Sequence, residues 1–142
     1  MSYQQLDMIA DSYIPILLLI SLIGFIKSSF YNGFLKTSYE ALPFLIGIIF
    51  IYSLMFVDIK LEIWPMLSLD YSTHTALALV FVCGISFWGK RQLIGVVISM
   101  VLYCLLMMYQ NYHTLLDILT TSVAVLPALV WLNVKLKRTT IS

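Results

Sequence analysis

Charge is what this sequence has least of: eight Lys and Arg against seven Asp and Glu among 142 residues, 11% of the chain, for a formal net charge of +1. No block of basic residues stands apart from the apolar stretches and no acidic tail exists, which excludes a nucleic-acid-binding surface. Cysteine is nearly absent, with two residues. Cys83 and Cys104 both fall inside apolar stretches at a spacing that matches no zinc or redox motif, so they read as small packing residues with no disulfide between them. Repeats, low-complexity tracts and long linkers are all missing, which leaves one domain over residues 1–142. No Lys or Arg precedes the first apolar run and no small-residue cleavage site follows it before Lys27, so that run reads as a retained helix, not a secretory signal.

What is present in excess is apolar side chain, 61% of all residues, with a mean hydropathy of +0.97. A water-soluble chain of this length has too little interior to hide so much apolar surface, and the solvent it implies is lipid. A spanning helix takes about 20 apolar residues, with ~17 tolerated. That yardstick divides the chain into five spans, roughly Tyr13 to Phe30, Tyr39 to Val57, His74 to Trp88, Leu93 to Tyr109 and Thr114 to Val134. The third is short and is expected to start near Tyr71, with Ser72 or Thr73 as its N-cap. The expected class is therefore an all-α, polytopic membrane protein.

Lysine and arginine in short loops stay on the cytoplasmic side. Threading five spans places Lys27, Lys36, Lys90, Arg91, Lys135, Lys137 and Arg138 on one side and only Lys60 on the other, which predicts an N-terminus outside and a C-terminus inside. Asp7, Asp11, Asp58, Glu62, Asp70 and Asp117 fall on the outer side, Glu40 on the inner. Trp64 is expected at the outer interface, Trp88 and Trp131 at the inner one. The compact loops suggest a bacterial inner membrane.

The only two histidines, His74 and His113, open the third and fifth spans. One out-and-back passage separates them, so both belong to the outer face. Asp117 follows His113 by four residues, one helical turn, within reach of a hydrogen bond that would fix the imidazole tautomer. An ionisable group inside a span costs about 2.5–3.5 kcal/mol on insertion scales and marks a functional site by default. The helix starts at His74 and His113 offer free N–H groups and a positive dipole end to an anion, with Ser72, Thr73, Thr75 and Thr114 as hydroxyl donors.

The segments Asp70-Tyr-Ser-Thr-His74-Thr-Ala76 and His113-Thr-Leu-Leu-Asp117 resemble the two C-terminal motifs of the type 2 phosphatidic acid phosphatase superfamily, most closely its sphingomyelin synthase-like branch. The resemblance covers about residues 70–134. It implies phosphoryl transfer on a phosphorylated membrane lipid, without metal or cofactor: His113 attacks phosphorus, Asp117 orients it, and His74 protonates the leaving oxygen and then activates the acceptor. The chain departs from the family pattern in its cations. The upstream Lys and Arg motif is missing, Leu106 and Met107 stand near the place of a Ser-Arg pair, and Thr73 replaces a Gly. Lys60 is the one basic residue on the outer side able to serve a phosphate.

Other uses of these residues remain open at this stage. The histidines with Asp117 and Asp70 are a possible zinc or iron ligand set, and Trp64 with Tyr71 a possible cage for a quaternary ammonium head group. A degenerate, lipid-binding relative without turnover fits the missing arginines. A channel would require oligomerisation, because few polar residues fall within the spans.

Overall fold

The apolar runs form helices, most of them longer than the runs; the third instead starts at Thr73, not near Tyr71, and stops at Ser86, short of Trp88. The computed structural model describes residues 3–141, with side chains described through residue 137. In chain order the helices are α1 Tyr3–Asn32, α2 Phe34–Leu61, the single turn α3 Ile63–Met66, α4 Thr73–Ser86, α5 Lys90–Tyr109 and α6 Leu115–Ile141, with no strand among the described residues. Helices α1, α2, α5 and α6 are long and apolar enough to cross a membrane. Their outer faces carry side chains that a bundle in water would bury: Ile49 is 67% exposed, Ile98 56% and Val123 74%. The protein is an all-α polytopic membrane protein, as its composition requires.

Helix α1 starts at Tyr3, not near Tyr13. Its 30 residues extend about 45 Å, against a hydrocarbon core of about 30 Å. The added polar turns are held by tertiary contacts that hydropathy does not register. Tyr3 donates its hydroxyl to the Gln110 carbonyl at 2.7 Å, and Asp7 accepts from the Gln110 side-chain amide and, at 3.0 Å, from the Tyr112 hydroxyl. Tyr3 and Asp7, spaced i, i+4, thus fasten α1 to the α5–α6 turn.

Helix α4 has 14 residues and rises only about 21 Å, too short to cross a bilayer alone. It is the central element, in contact with α1, α2, α5 and α6, and from Thr75 to Ile85 every residue except Leu77 is buried. A helix apolar all round belongs in that position. Residues 67–72 supply the missing length on one side, and non-helical backbone beside spanning helices requires protein partners for its polar groups. Helix α6 provides them from one face. Asp117 accepts from the Asp70 N–H at 2.8 Å, Thr121 Oγ1 accepts from the Ser72 N–H at 3.0 Å, and Thr120 Oγ1 accepts from the Trp64 indole at 3.0 Å. Ser72 is the N-cap of α4, its Oγ accepting from the Thr75 N–H at 3.3 Å. Trp64 is only 7% exposed and closes the loop over α6 through its indole.

The opposite end of α4 is packed by aromatics. Phe44 meets Phe25 edge-on at 5.1 Å and Phe81 at 5.9 Å between ring centroids. Gly84 lets Phe44 approach, since a Cβ there would lie 2.2 Å from Phe44 Cζ. Gly84→Ala is therefore expected to destabilise the bundle by about 1–3 kcal/mol through overpacking. Unfolding in a mixed-detergent titration measures it, and an unchanged midpoint would show the ring is free to move. Both cysteines are free.

Candidate functional site

Because α4 and α5 are antiparallel, the start of α4 and the turn after α5 return to the same end of the bundle. His74 in the first turn of α4 and His113 just before α6 there line one cavity of about 130 Å3, with Ala10 and Asp11 from α1, Tyr103 and Met107 from α5, and Tyr112. That volume admits a small polar group but not a whole lipid. His74 is exposed and His113 half-buried. Two of the three buried polar side-chain atoms without a partner among the described residues, His113 Nδ1 and Tyr103 Oη, belong to residues that line this cavity. Buried polar atoms are rarely left unpaired unless water or a ligand meets them. The sequence singled out the two histidines but not Tyr103, Tyr112 or Asp11. The clue available for Asp11 was an acidic residue at the edge of the first span, one turn after Asp7.

Asp117 does something other than hold the imidazole. It is 4% exposed, and one of its oxygens accepts from the Asp70 N–H at 2.8 Å while the other accepts from the Thr114 N–H at 2.8 Å and the Thr114 hydroxyl at 2.7 Å. In return the Asp117 N–H donates to Thr114 Oγ1 at 3.2 Å. This is a reciprocal capping box at the start of α6, and it also holds the loop leading to His74. The expected hydrogen bond from His113 is not formed, because Asp70 and Thr114 occupy both carboxylate oxygens.

The hydroxyls expected to meet substrate are placed differently from one another. Ser72 and Thr75 are buried at 0% and 1% exposure and bonded to each other at 2.7 Å. Thr114 is exposed but committed to Asp117, and Thr73 is half-exposed. Lys60 is exposed in the last turn of α2 and does not line the cavity. The helix starts, expected to offer amides to an anion, use several of them internally. At α4 the N–H groups of Ser72, Thr73 and Thr75 go to Thr121, Tyr71 and Ser72, and at α6 the anion at the positive dipole end is Asp117 itself. Among the described residues no three His, Cys, Asp or Glu side chains converge to hold a metal ion. Trp64 and Tyr71 meet edge-on at 5.0 Å, with Trp64 buried, so the pair does not form an open cage.

Burial holds the His113 imidazole below the usual histidine value of 6.5, the neighbouring His74 adds to the effect, and the carboxylates of Asp117 and Asp70 oppose it. His113 is therefore neutral at pH 7, with a lone pair available. A group charged more readily when unfolded stabilises the fold only above its unfolded pKa. Stability is expected to decline as pH falls from about 6.5 through the folded value, and His113→Gln is expected to remove that part of the decline. NMR titration of the ring protons checks it: a midpoint at or above 6.5 would contradict this reading.

Comparison with known proteins yields no match, neither to a family model, nor to a curated protein, nor to a solved structure.

Proposed function

We propose that this chain is a membrane lipid phosphatase or head-group phosphotransferase acting through a phosphohistidine at the outer membrane face. The observation that carries the reading is the meeting of His74 and His113, distant in sequence, in one cavity with His113 Nδ1 buried and unpaired. A neutral imidazole is a competent nucleophile near pH 7, and dividing the displacement into two steps needs no metal. His113 attacks phosphorus, forming N–P as P–O to the lipid breaks, and His74 in its imidazolium form gives a proton to the leaving oxygen. Water or an alcohol then attacks the phosphohistidine, His74 takes its proton, and the phosphoryl group leaves His113. Asp117 is a positioning residue for both loops. The acyl chains stay in the bilayer and only the phosphate enters the cavity, in keeping with its volume.

The orientation belongs to the same proposal. Lys27, Lys36, Lys90, Arg91 and the basic residues of α6 gather at the end away from the histidines, so the positive-inside rule puts the site on the extracytoplasmic side, with the N-terminus out. A bacterial inner membrane suits the short loops.

One observation favours a second reading, a relative that binds lipid without turnover. Among the described residues no Lys or Arg lines the cavity while Asp11 does, and phosphoryl transfer depends on stabilising charge. Phosphate release or head-group transfer from phospholipids and polyprenyl phosphates, measured in detergent for wild type and His113→Ala, separates the two. Turnover lost in the variant supports the enzyme, and no turnover by wild type on any lipid supports the second reading.

A further inference from the structure

At the end of the bundle opposite the histidines, α1, α2, α6 and the end of α4 enclose a second cavity of about 660 Å3. Its lining includes three lysines from three helices, Lys27 of α1, Lys36 of α2 and Lys137 of α6, against one carboxylate, Glu40. The lysines are not neutralised. Glu40 accepts from the Ser28 hydroxyl at 2.6 Å, Lys36 donates to the Asn32 side chain at 3.4 Å, and Lys137 donates to the Phe87 carbonyl at 2.9 Å. Among the described residues Lys27 has no hydrogen-bond or ion-pair partner. An ammonium carries three donors, so each of these lysines keeps donor capacity that no described residue takes up. The lining also carries apolar side chains, Phe87, Trp88 and Pro43, with Lys137 Nζ 5.7 Å from the centre of the Phe87 ring.

Lysines that merely snorkel stand singly along lipid-facing helices. Three that converge on a hollow with an apolar wall repel one another until an anion enters. Basic and aromatic side chains that line one hollow between spanning helices fit a group that is anionic at one end and hydrocarbon at the other. We propose that this cavity binds the phosphate head group of an anionic phospholipid, held by Lys27, Lys36 and Lys137, with its chains leaving along Trp88 and Phe87. The site is separate from the histidine cavity and does not depend on its chemistry.

The test is thermal stabilisation of the purified full chain in neutral detergent, titrated with phosphatidylglycerol, phosphatidylcholine or inorganic phosphate. The expected result is saturable stabilisation by phosphatidylglycerol, little by phosphatidylcholine, and much weaker stabilisation by inorganic phosphate. Lys27→Gln with Lys36→Gln is expected to weaken phosphatidylglycerol binding about 25-fold, from roughly fivefold per lysine near a surface. Lys90→Gln, at the same end but outside the lining, is expected to leave binding unchanged. Both variants alter exposed side chains, and their midpoints without lipid show that they fold. Equal response to the two lipids overturns the proposal, as does an equal loss in Lys90→Gln, which would reduce the effect to general surface charge. Binding of inorganic phosphate as tight as that of phosphatidylglycerol would overturn the lipid assignment.

Discussion

Asp117→Ala is expected to destabilise the protein by about 2–4 kcal/mol, because it leaves neutral donors unsatisfied at about 1–3 kcal/mol for each that stays buried. The carboxylate accepts from Asp70 N–H, Thr114 N–H and the Thr114 hydroxyl, and hydrogen bonds to charged groups contribute about 1.5–3 kcal/mol each. Their sum overstates the loss, because Thr114 sits at the exposed edge where water replaces part of it. The Asp70 amide has less recourse, since the loop that carries it lies beside α6. Losing that bond frees residues 67–72 and with them the start of α4. Asp117→Asn keeps one acceptor oxygen but turns an NH2 toward a donor, so an intermediate loss is expected. Unfolding in a mixed-detergent titration measures both. An unchanged midpoint in Asp117→Ala would mean that the capping box carries little of the fold. The same substitutions are expected to lower the His113 pKa further, because a nearby negative charge that favours imidazolium is gone.

His113→Ala is expected to have the opposite profile: turnover reduced by about a thousandfold or more, with a nearly unchanged unfolding midpoint. The structural part follows from the unpaired Nδ1, which has no protein hydrogen bond to lose. His74→Ala is expected to cost about 10²–10⁴-fold, the range for a positioned general acid or base. Because His74 acts on the leaving oxygen and not on ground-state binding, kcat falls while KM stays within a few-fold. A His74→Ala variant with full kcat would remove that residue from the mechanism. A His113→Ala variant that fails to fold would show that the histidine is a packing residue.

The parts of the fold legible in the sequence were those written in hydropathy. Each of the five apolar runs forms a helix, the short α3 being the sixth, and a cap at Ser72 or Thr73 was legible because a hydroxyl preceding an apolar run has one common use; the structure uses Ser72. The shortness of the third run was visible, but its reason was not, since burial on all sides depends on where four other helices lie. The helical turns from Tyr3 to Ser12 were invisible because polar residues enter a helix there only through their hold on Gln110 and Tyr112. In the site, the two histidines could be placed on one face by counting passages through the membrane. Asp117 does not meet His113 for a physical reason: a carboxylate at i+4 from a histidine is also the third residue after Thr114, where the capping box takes one oxygen and the Asp70 N–H takes the other. Spacing alone does not decide between the two. The second cavity was illegible because Lys27, Lys36 and Lys137 are far apart in sequence and read there as ordinary loop-flanking charges.

The central claim is that His113 carries the phosphoryl group. Its most direct test is a rapid quench of purified protein mixed with lipid labelled at the phosphate, followed by mapping of acid-labile, base-stable label on the chain. The mechanism predicts label at His113 in the wild type and none in His113→Ala. Phosphate release by His113→Ala at the wild-type rate, or a wild type that turns over with no label on His113, would contradict it.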